Sequence, residues 1–315
     1  MPVSVGHYRE YVKNRDLSLP ALMVTVLLWA SAFVGIRAIA DTFSPGSLSL
    51  GRLLAASIAL TAIAWPKREP LPTGRSLQLI ILYGVVWFGA YNIALNAAEQ
   101  DLDAGTTALI VNIGPILIAL IAGVIFKEGF PRPLIIGMAV AFGGVALIAI
   151  STRNSSVETA STVGVVLCLV AAVCYAIGTL GQKVALRDTS PVMSVWLACL
   201  VGTVVCLPFA PQLINELGDA SAGDIAWLLF LGVFPTAIGF STWAYALKRL
   251  TAGQVASTTY LVPAVATLIS WAYLGEIPTT LAFIGGGLCL LGVTITRLKR
   301  RTAVLAEPAP TSGQA

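Results

Sequence analysis

The sequence predicts an all-α membrane protein with ten transmembrane helices, arranged as two inverted five-helix repeats. Three observations support this fold class. Of the 315 residues, 57% are hydrophobic and only 11% are charged, whereas soluble domains carry about 25% charged residues. Apolar runs of about 20 residues, long enough to cross a bilayer as helices, recur along the chain. The second half also repeats features of the first at a spacing of 148 positions, as in Gly105 and Gly253.

Ten apolar stretches follow a polar and basic N-terminal segment, residues 1–17. Residues 18–150 form the first predicted five-helix repeat, and residues 161–297 form the second. Residues 298–315 are rich in Ala, Pro, Ser, Gly and Gln, and we expect a disordered tail there. The predicted helices cover residues 18–37, 45–65, 76–98, 104–126, 132–150, 161–182, 191–210, 223–246, 252–274 and 279–297.

The basic residues predict how these helices are oriented. With ten spans, the Lys and Arg residues outside the spans gather on one side, and only Arg37 and Arg153 lie on the other. Because basic loops remain in the cytoplasm, this asymmetry places both termini there. Removing or adding one helix would destroy the asymmetry, so it also supports the count of ten.

The internal repeat is most distinct in predicted helices 4 and 9. An odd number of helices in each half makes the second copy enter the membrane from the opposite side. Inverted repeats of this kind are typical of secondary transporters, whose binding site lies between the halves near the bilayer midplane. The matched positions are Ala104-Gly105, Ala108, Asn112, Pro115 and Glu128 in the first half and Ala252-Gly253, Ala256, Tyr260, Pro263 and Glu276 in the second.

Several of these residues carry a resemblance to a known family. The five-plus-five organisation, Trp29-Ala30-Ser31 in helix 1, Arg52 early in helix 2 and the Ala-Gly…Pro…Glu pattern of helices 4 and 9 resemble the EamA family of the drug/metabolite transporter superfamily. The resemblance covers about residues 18–297. It implies a bacterial inner-membrane carrier, commonly an exporter of amino acids or related metabolites. It also implies a central cavity surrounded by helices 1, 3, 4, 6, 8 and 9.

Aromatic, amide and hydroxyl side chains recur at helical spacing on those six helices. Such groups together suit a small zwitterion or an amphipathic metabolite. Two other interpretations stay open: the aromatic residues form belts at the membrane interface, and Asn112 bonds to a neighbouring helix. The candidate substrate-binding residues are Trp29, Phe33, Phe88, Asn92, Asn96, Asn112, Tyr175, Thr179, Phe240, Trp243 and Tyr260.

Pro115 and Pro263 occupy matching positions in the interiors of predicted helices 4 and 9. An internal proline removes one backbone hydrogen bond and frees the carbonyl four residues earlier, here that of Val111 or Thr259. We interpret the two prolines as hinges beside the cavity. The alternative is a static kink that only shapes helix packing.

Arg52 is the one basic residue within a predicted span, about 10 Å from the outer end of helix 2. A charge at such a depth indicates function by default. Three roles are open: a gate or ion pair with an acidic outer residue such as Asp41, direct binding of a substrate carboxylate, and extension of the side chain to the outer surface. The middle of each predicted span lacks Asp and Glu, which disfavours proton antiport centred on a membrane carboxylate.

The sequence argues against other classes of protein. The single histidine, His7, and five cysteines within apolar runs predict neither a metal site nor a disulfide framework, and we expect no cofactor. Basic residues confined to short loops do not predict nucleic-acid binding.

We therefore predict a transporter that exports a small organic metabolite by alternating access and whose partners are its substrate and the lipid bilayer. The alternatives are a membrane-embedded enzyme, for which the spans lack a nucleophile with a partner base, and a receptor. Glycines at positions 137, 143, 144, 285–287 and 292 permit close helix packing. That packing lies within one chain or between protomers, and the oligomeric state is open.

Overall fold

The computed structural model describes residues 16–101, 110–152, 162–274, 280–296 and 298. Within these ranges all regular structure is helical. The predicted start of helix 4, together with Glu276, Arg153 and most of both terminal segments, lies outside the described residues. In the described residues, helical runs overlap the predicted stretches, and the bounds differ mainly at the ends.

Among the described residues of the first half, we number five helical runs α1 to α5. Pro45 begins α2, where its missing N–H costs nothing because the first turn has no acceptor for it. The runs are α1, Ser18–Ala38; α2, Pro45–Ala64; α3, continuous through Gly74–Tyr83, Gly84–Tyr91 and Asn92–Asp101; α4, Gly114–Ile125; and α5, Arg132–Thr152.

The second half continues with α6 to α10. Ser190 and Ser221 cap α7 and α8, accepting hydrogen bonds from the backbone N–H groups of Met193 and Asp224. The runs are α6, Thr162–Ala185; α7, Pro191–Cys206 with its extensions Leu207–Phe209 and Ala210–Asp219; α8, continuous through Ala222–Leu231, Gly232–Gly239 and Phe240–Arg249; α9, through Ala252–Ser257, Thr258–Tyr260 and Leu261–Leu274; and α10, Thr280–Thr296.

The prediction that helix 7 ends at residue 210 was wrong. The helical path continues to Asp219 because Ala210–Asp219 is amphipathic. Leu213 is buried on one side of it, while the neighbouring polar residues face outward. A helix predicted from continuous hydropathy ends where these polar residues begin, although the helix in the structure continues through them.

The helices are those of a multi-pass membrane protein. In the described part of the chain, six helices are long and apolar enough to cross a membrane, and three shorter apolar helices accompany them. Large aliphatic side chains on the outside remain exposed, including Ile58 and Val124 at 70% each. In a soluble protein such a surface would promote aggregation, whereas in a bilayer it faces hydrocarbon.

The helices α3 and α8 each contain an eight-residue π-helical stretch, Gly84–Tyr91 and Gly232–Gly239. Both stretches begin at a glycine in close helix contact. A Cβ atom on Gly84 would lie 2.8 Å from the Cβ of Val201, and one on Gly232 would lie 2.6 Å from the backbone oxygen of Arg52. Wide π turns are rare and occur frequently at functional sites.

The helices α5 and α10 cross through glycines that allow backbone contact. A Cβ on Gly137 would lie 2.5 Å from the carbonyl oxygen of Gly292, and one on Gly144 would lie 2.5 Å from that of Gly285. Between these contacts, the Cys289 thiol lies 3.5 Å from the carbonyl oxygen of Ala141. Four of the predicted glycines therefore pack two helices of the same chain, namely Gly137, Gly144, Gly285 and Gly292. Packing within one chain was one of the two possibilities left open by the sequence.

The matched prolines of the internal repeat were expected in the interiors of continuous α-helices. In the structure each of them instead follows a break in its helix. Pro115 lies in the first turn of α4, after a turn at residues 112–113. Pro263 lies near the start of Leu261–Leu274, after the 3₁₀ turn Thr258–Tyr260. In each case the α-helical hydrogen bonding is broken before the proline, so its missing N–H falls where a helical donor is not required.

Candidate functional site

A cavity lies between residues of the two halves. Its empty volume is about 730 Å³, a figure that includes space open to solvent. Helices α1, α2 and α3 line it from the first half, and α6, α8 and α9 line it from the second. The lining residues are Trp29, Ala32, Phe33, Ile36, Arg52, Trp87, Tyr91, Asn92, Leu95, Val111, Asn112, Tyr175, Phe240, Thr259 and Val262.

The cavity is asymmetric along the helix axes. Ile36 lies near the end of α1, and Arg52 lies seven residues after the start of α2 at Pro45, so these residues mark the side opposite to Ser18. Trp29 lies at mid-helix in α1. The cavity therefore extends from the middle of the helices toward the side away from the start of α1. We call this the far side, and the side where α1 starts the near side.

Aromatic rings from both halves form the near-side floor of the cavity. The ring centroids of Trp29 and Phe240 are 5.0 Å apart, as are those of Trp87 and Phe240. Tyr175 lies 5.3 Å from Trp87. Trp243 packs against Trp29 at 5.0 Å, and its side chain is fully buried. These five residues, called the aromatic floor below, give the cavity an apolar base at mid-helix depth.

Local backbone geometry positions Trp29 within this floor. Its indole Nε1 donates a hydrogen bond to the Pro235 carbonyl at 3.3 Å. Proline within the π-helical stretch of α8 cannot donate, but its carbonyl can accept. Gly239 provides the space, since a Cβ there would lie 3.1 Å from the Trp29 Nε1. The indole is thereby fixed across the boundary between the halves.

Asn92 also depends on a π-helical stretch. Its Nδ2 donates to the carbonyls of Phe88 at 2.9 Å and Trp87 at 3.3 Å. The amide nitrogen is thus directed to the wide turn of α3, and the carbonyl oxygen Oδ1 is an acceptor for other partners. Asn92 lines the cavity, so this oxygen is an acceptor at its wall.

Arg52 lies inside the molecule, with 6% of its surface exposed. Its Nε and Nη2 atoms donate to the Thr236 hydroxyl at 3.1 and 3.0 Å. That hydroxyl donates in turn to the Leu231 carbonyl at 2.8 Å. The side chain does not extend to the outer surface. The suggested ion pair with Asp41 is also not formed in the described part of the chain, because Arg52 turns inward while Asp41 is exposed.

Three further groups lie within electrostatic range of Arg52, namely Tyr91, Glu99 and Cys199. Tyr91 and Glu99 belong to α3, and together with Leu95 they follow one another at intervals of four residues. Tyr91 and Leu95 line the cavity. Glu99 therefore lies on the same stripe of α3 but closer to its far-side end.

The structure brings seven of the predicted functional residues to the cavity wall: Trp29, Phe33, Asn92, Asn112, Tyr175, Phe240 and Arg52. The others lie away from it. Asn96 donates to the Ser49 hydroxyl at 3.0 Å and ties α3 to α2. Trp243 belongs to the aromatic floor but does not line the cavity, and Phe88 packs against Phe240 behind the floor. Thr179 is completely buried in α6. Tyr260 packs with Phe142, at a centroid distance of 6.4 Å, behind the cavity near α5.

Several residues of the cavity wall were not predicted from the sequence as site residues, among them Trp87, Tyr91, Val262 and Thr259. A regular α-helix places Phe88, Asn92 and Asn96 on one face. Trp87, Tyr91 and Leu95 have the same spacing and form the neighbouring stripe of α3, which lines the cavity together with Asn92. The two aromatic residues of that stripe, four positions apart, were the available signal.

Polar contacts join helix ends on the near side of the cavity. Lys183 Nζ donates to the carbonyl of Leu247 at 2.7 Å and also to that of Leu250, at the end of α8. The Glu128 carboxylate accepts from the backbone N–H groups of Ala252 at 2.9 Å and Gly253 at 3.4 Å. A cation at a helix C-terminus and an anion at an N-terminus both complement the helix dipole. We call these contacts the near-side clasp.

Comparisons with known proteins agree with this architecture. The model of the EamA-like transporter family matches residues 17–150 and 162–298. The "Probable terminal-alkyne amino-acid exporter" of Streptantibioticus cattleyicolor is 36% identical over 93% of this chain and 97% of its own length. The "Uncharacterized transporter YdfC" of Bacillus subtilis is 34% identical over 86% of this chain and 88% of its own.

Two more distant matches extend the comparison. The "Probable amino-acid metabolite efflux pump" of Salmonella typhimurium is 25% identical over 87% of this chain and 92% of its own length. A solved crystal structure superposes with a TM-score of 0.74 over 90% of this chain and 97% of its own, at 16% identity, which shows a common fold alone. With family matches in both halves and a relative of 36% identity along almost the full length, this chain belongs to the EamA-like transporter family.

Proposed function

We propose that this membrane transporter exports a small amphipathic organic metabolite, an amino acid or a close derivative, by alternating access. The observation that carries the proposal is the cavity, which is walled by both halves and floored by aromatic rings at mid-helix depth. Relatives described as an amino-acid exporter and an amino-acid metabolite efflux pump support the substrate class. Neither an enzyme nor a receptor is favoured by a comparable observation.

The proposal includes ten spans in two inverted halves, residues 18–150 and 161–297, with both termini in the cytoplasm. The π-helical stretches support the repeat, because Gly84–Tyr91 and Gly232–Gly239 differ by 148 positions at both ends. The crossing of α5 and α10 supports it as well. Gly137 matches Gly285 in the repeat, and Gly144 matches Gly292. Gly137 contacts Gly292 and Gly144 contacts Gly285, so the two contacts are related by the repeat.

The structure represents, in this proposal, the state that is closed toward the cytoplasm. The near-side clasp joins α6 to α8 and the end of α4 to α9. The cavity extends from the aromatic floor toward the opposite side. Opening toward the cytoplasm requires the clasp to separate and the floor to divide between the halves.

The breaks before Pro115 and Pro263 serve as hinges in this transition. Each divides its helix next to a cavity residue, Asn112 in the first half and Thr259 in the second. Backbone that lacks α-helical hydrogen bonds resists bending less than a continuous helix does. Arg52 acts as a contact between the halves, since its partner Thr236 belongs to α8.

Transport by the purified protein tests the proposal. Proteoliposomes are loaded with a panel of amino acids, amines, carboxylic acids and neutral metabolites, and exchange with labelled external compound is measured. We expect exchange of at least one amphipathic amino acid. Ala32→Trp, which fills the cavity, abolishes it, whereas Ile58→Trp, on the outward face of α2, leaves it intact. Absence of exchange across the panel, or full exchange by Ala32→Trp, would refute the proposal.

A further inference from the structure

The buried guanidinium of Arg52 is only partly satisfied by the protein. An arginine carries five N–H donors in a planar fork, and Arg52 directs two of them to the single Thr236 hydroxyl. Among the described residues, Thr236 is its hydrogen-bond partner. The remaining donors belong to a side chain that is 6% exposed and lines the cavity. A buried charge of this kind requires an additional partner or water within the cavity.

The geometry favours a carboxylate as that partner. The planar fork of a guanidinium matches the two oxygens of a carboxylate, and the resulting pair is stronger and more directional than a contact between neutral groups. Thr236 holds Arg52 by the Nε and Nη2 edge. The Nη1 amine and the second hydrogen of Nη2 remain for a ligand in the cavity.

An acceptor for a positive group lies on the same wall. The Asn92 amide nitrogen is committed to the carbonyls of Trp87 and Phe88. This commitment orients the side chain so that Oδ1 is its remaining hydrogen-bonding atom. Glu99, within electrostatic range of Arg52 and Tyr91, adds negative potential at the far end of α3. A ligand ammonium is therefore favoured near α3 when a carboxylate is bound to Arg52.

The aromatic floor defines the rest of the ligand. Trp29, Trp87 and Phe240 present aromatic surface to the near end of the cavity, with centroids 5.0 Å apart for Trp29–Phe240 and for Trp87–Phe240. Such surface accepts flat or slender apolar groups, and a second charged group there would lose its hydration without compensation.

We infer that Arg52 is the carboxylate anchor for a zwitterionic α-amino acid whose apolar side chain lies on the aromatic floor and whose ammonium group is accepted by Asn92. This inference rests on the proposed transport function and assigns its substrate class and orientation. It also explains why the positive charge of Arg52 is retained at such depth, because the ligand supplies the missing acceptors.

Three probes with the same benzyl side chain test this assignment in proteoliposomes: L-phenylalanine, L-phenylalaninamide without the carboxylate, and N-acetyl-L-phenylalanine, which lacks the ammonium and is larger by an acetyl group. Their half-inhibitory concentrations are measured against the labelled compound that the wild-type protein exchanges. We expect L-phenylalanine to compete at least about tenfold better than the amide, since a hydrogen-bonded charge is worth about this factor or more. We expect N-acetyl-L-phenylalanine to compete less well than L-phenylalanine too, because it lacks the ammonium group that Asn92 accepts.

Substitution of Arg52 separates anchoring from a purely structural role. In Arg52→Gln we expect the preference for L-phenylalanine over the amide to fall to about onefold, with inhibition by the amide little changed. Arg52→Lys retains part of the preference. Thr236→Val, which removes the protein partner but leaves the guanidinium, retains most of it. Each preference is the ratio of two half-inhibitory concentrations measured on the same variant. A smaller amount of folded protein in one variant therefore does not change it.

Two outcomes would overturn the inference while leaving the transport proposal intact. One is equal competition by L-phenylalanine and its amide in the wild-type protein. The other is a preference that survives in Arg52→Gln, which would make Arg52 a contact between halves only. Absence of exchange for every compound of the panel would instead refute the transport function itself, and this assignment with it.

Discussion

The glycine contacts between α5 and α10 predict a large difference between two adjacent alanine substitutions. A Cβ on Gly144 would lie 2.5 Å from the Gly285 carbonyl oxygen and 2.8 Å from the Cys289 backbone nitrogen. Ordinary contact begins at 3.4 Å, so the helices must separate by about 0.9 Å. Gly143 has nothing within 4 Å of its would-be Cβ. Alanine at either position gains about 1 kcal/mol of helix propensity.

The difference between the two variants isolates the steric cost, because the propensity gain is common to both. Overpacking costs about 1–3 kcal/mol, and we expect the upper end because the obstructing atoms are backbone. Gly144→Ala is therefore less stable than Gly143→Ala by about 2–3 kcal/mol. Equilibrium unfolding in mixed detergent micelles, followed by circular dichroism, measures both free energies. Equal stability of the two variants, within about 0.5 kcal/mol, would show that this crossing is not in close contact.

Three further predictions concern topology and the transport cycle. Reporters fused after Arg75 indicate cytoplasm and those fused after Gly218 the exterior; the reverse pattern would contradict the proposed orientation. Glu128→Gln leaves only a neutral acceptor for the backbone N–H groups of α9 and weakens the near-side clasp by about 0.3–1 kcal/mol. We expect single cysteines placed on the cytoplasmic side of the cavity to be labelled faster in this variant. Unchanged labelling would exclude Glu128 from closure. Pro115→Ala and Pro263→Ala leave membrane insertion intact but alter the exchange rate, and a wild-type rate in both would reduce the prolines to packing features.

The composition predicted the all-helical membrane character that the described residues show. Long apolar runs impose helices because backbone groups in hydrocarbon must be satisfied within the segment. The helix α2, for example, was expected at 45–65 and covers Pro45–Ala64. The spacing of 148 positions also recurs in features that were not anticipated, including both ends of the π-helical stretches.

The cavity wall was predictable only in part, since it depends on helix geometry and on contacts distant in sequence. A hydropathy pattern does not distinguish α from π geometry over eight apolar residues. Nor does it distinguish Trp87, which lines the cavity, from Phe88, which does not. The Arg52–Thr236 contact joins residues separated by 184 positions. Sequence spacing identified Arg52 as unusual, but its inward direction required the packing of α2 against α8.

The tryptophans of the aromatic floor make the intrinsic fluorescence of the protein sensitive to the cavity. Trp29 and Trp87 lie 5.0 and 6.2 Å from Trp243, and three of the seven tryptophans are thus grouped at one end of the cavity. Indoles at such separations share excitation, so emission from the group reflects the polarity around any one member. Replacement of cavity water by an apolar side chain shifts that emission to shorter wavelength. Occupancy can therefore be followed in the unlabelled carrier during turnover.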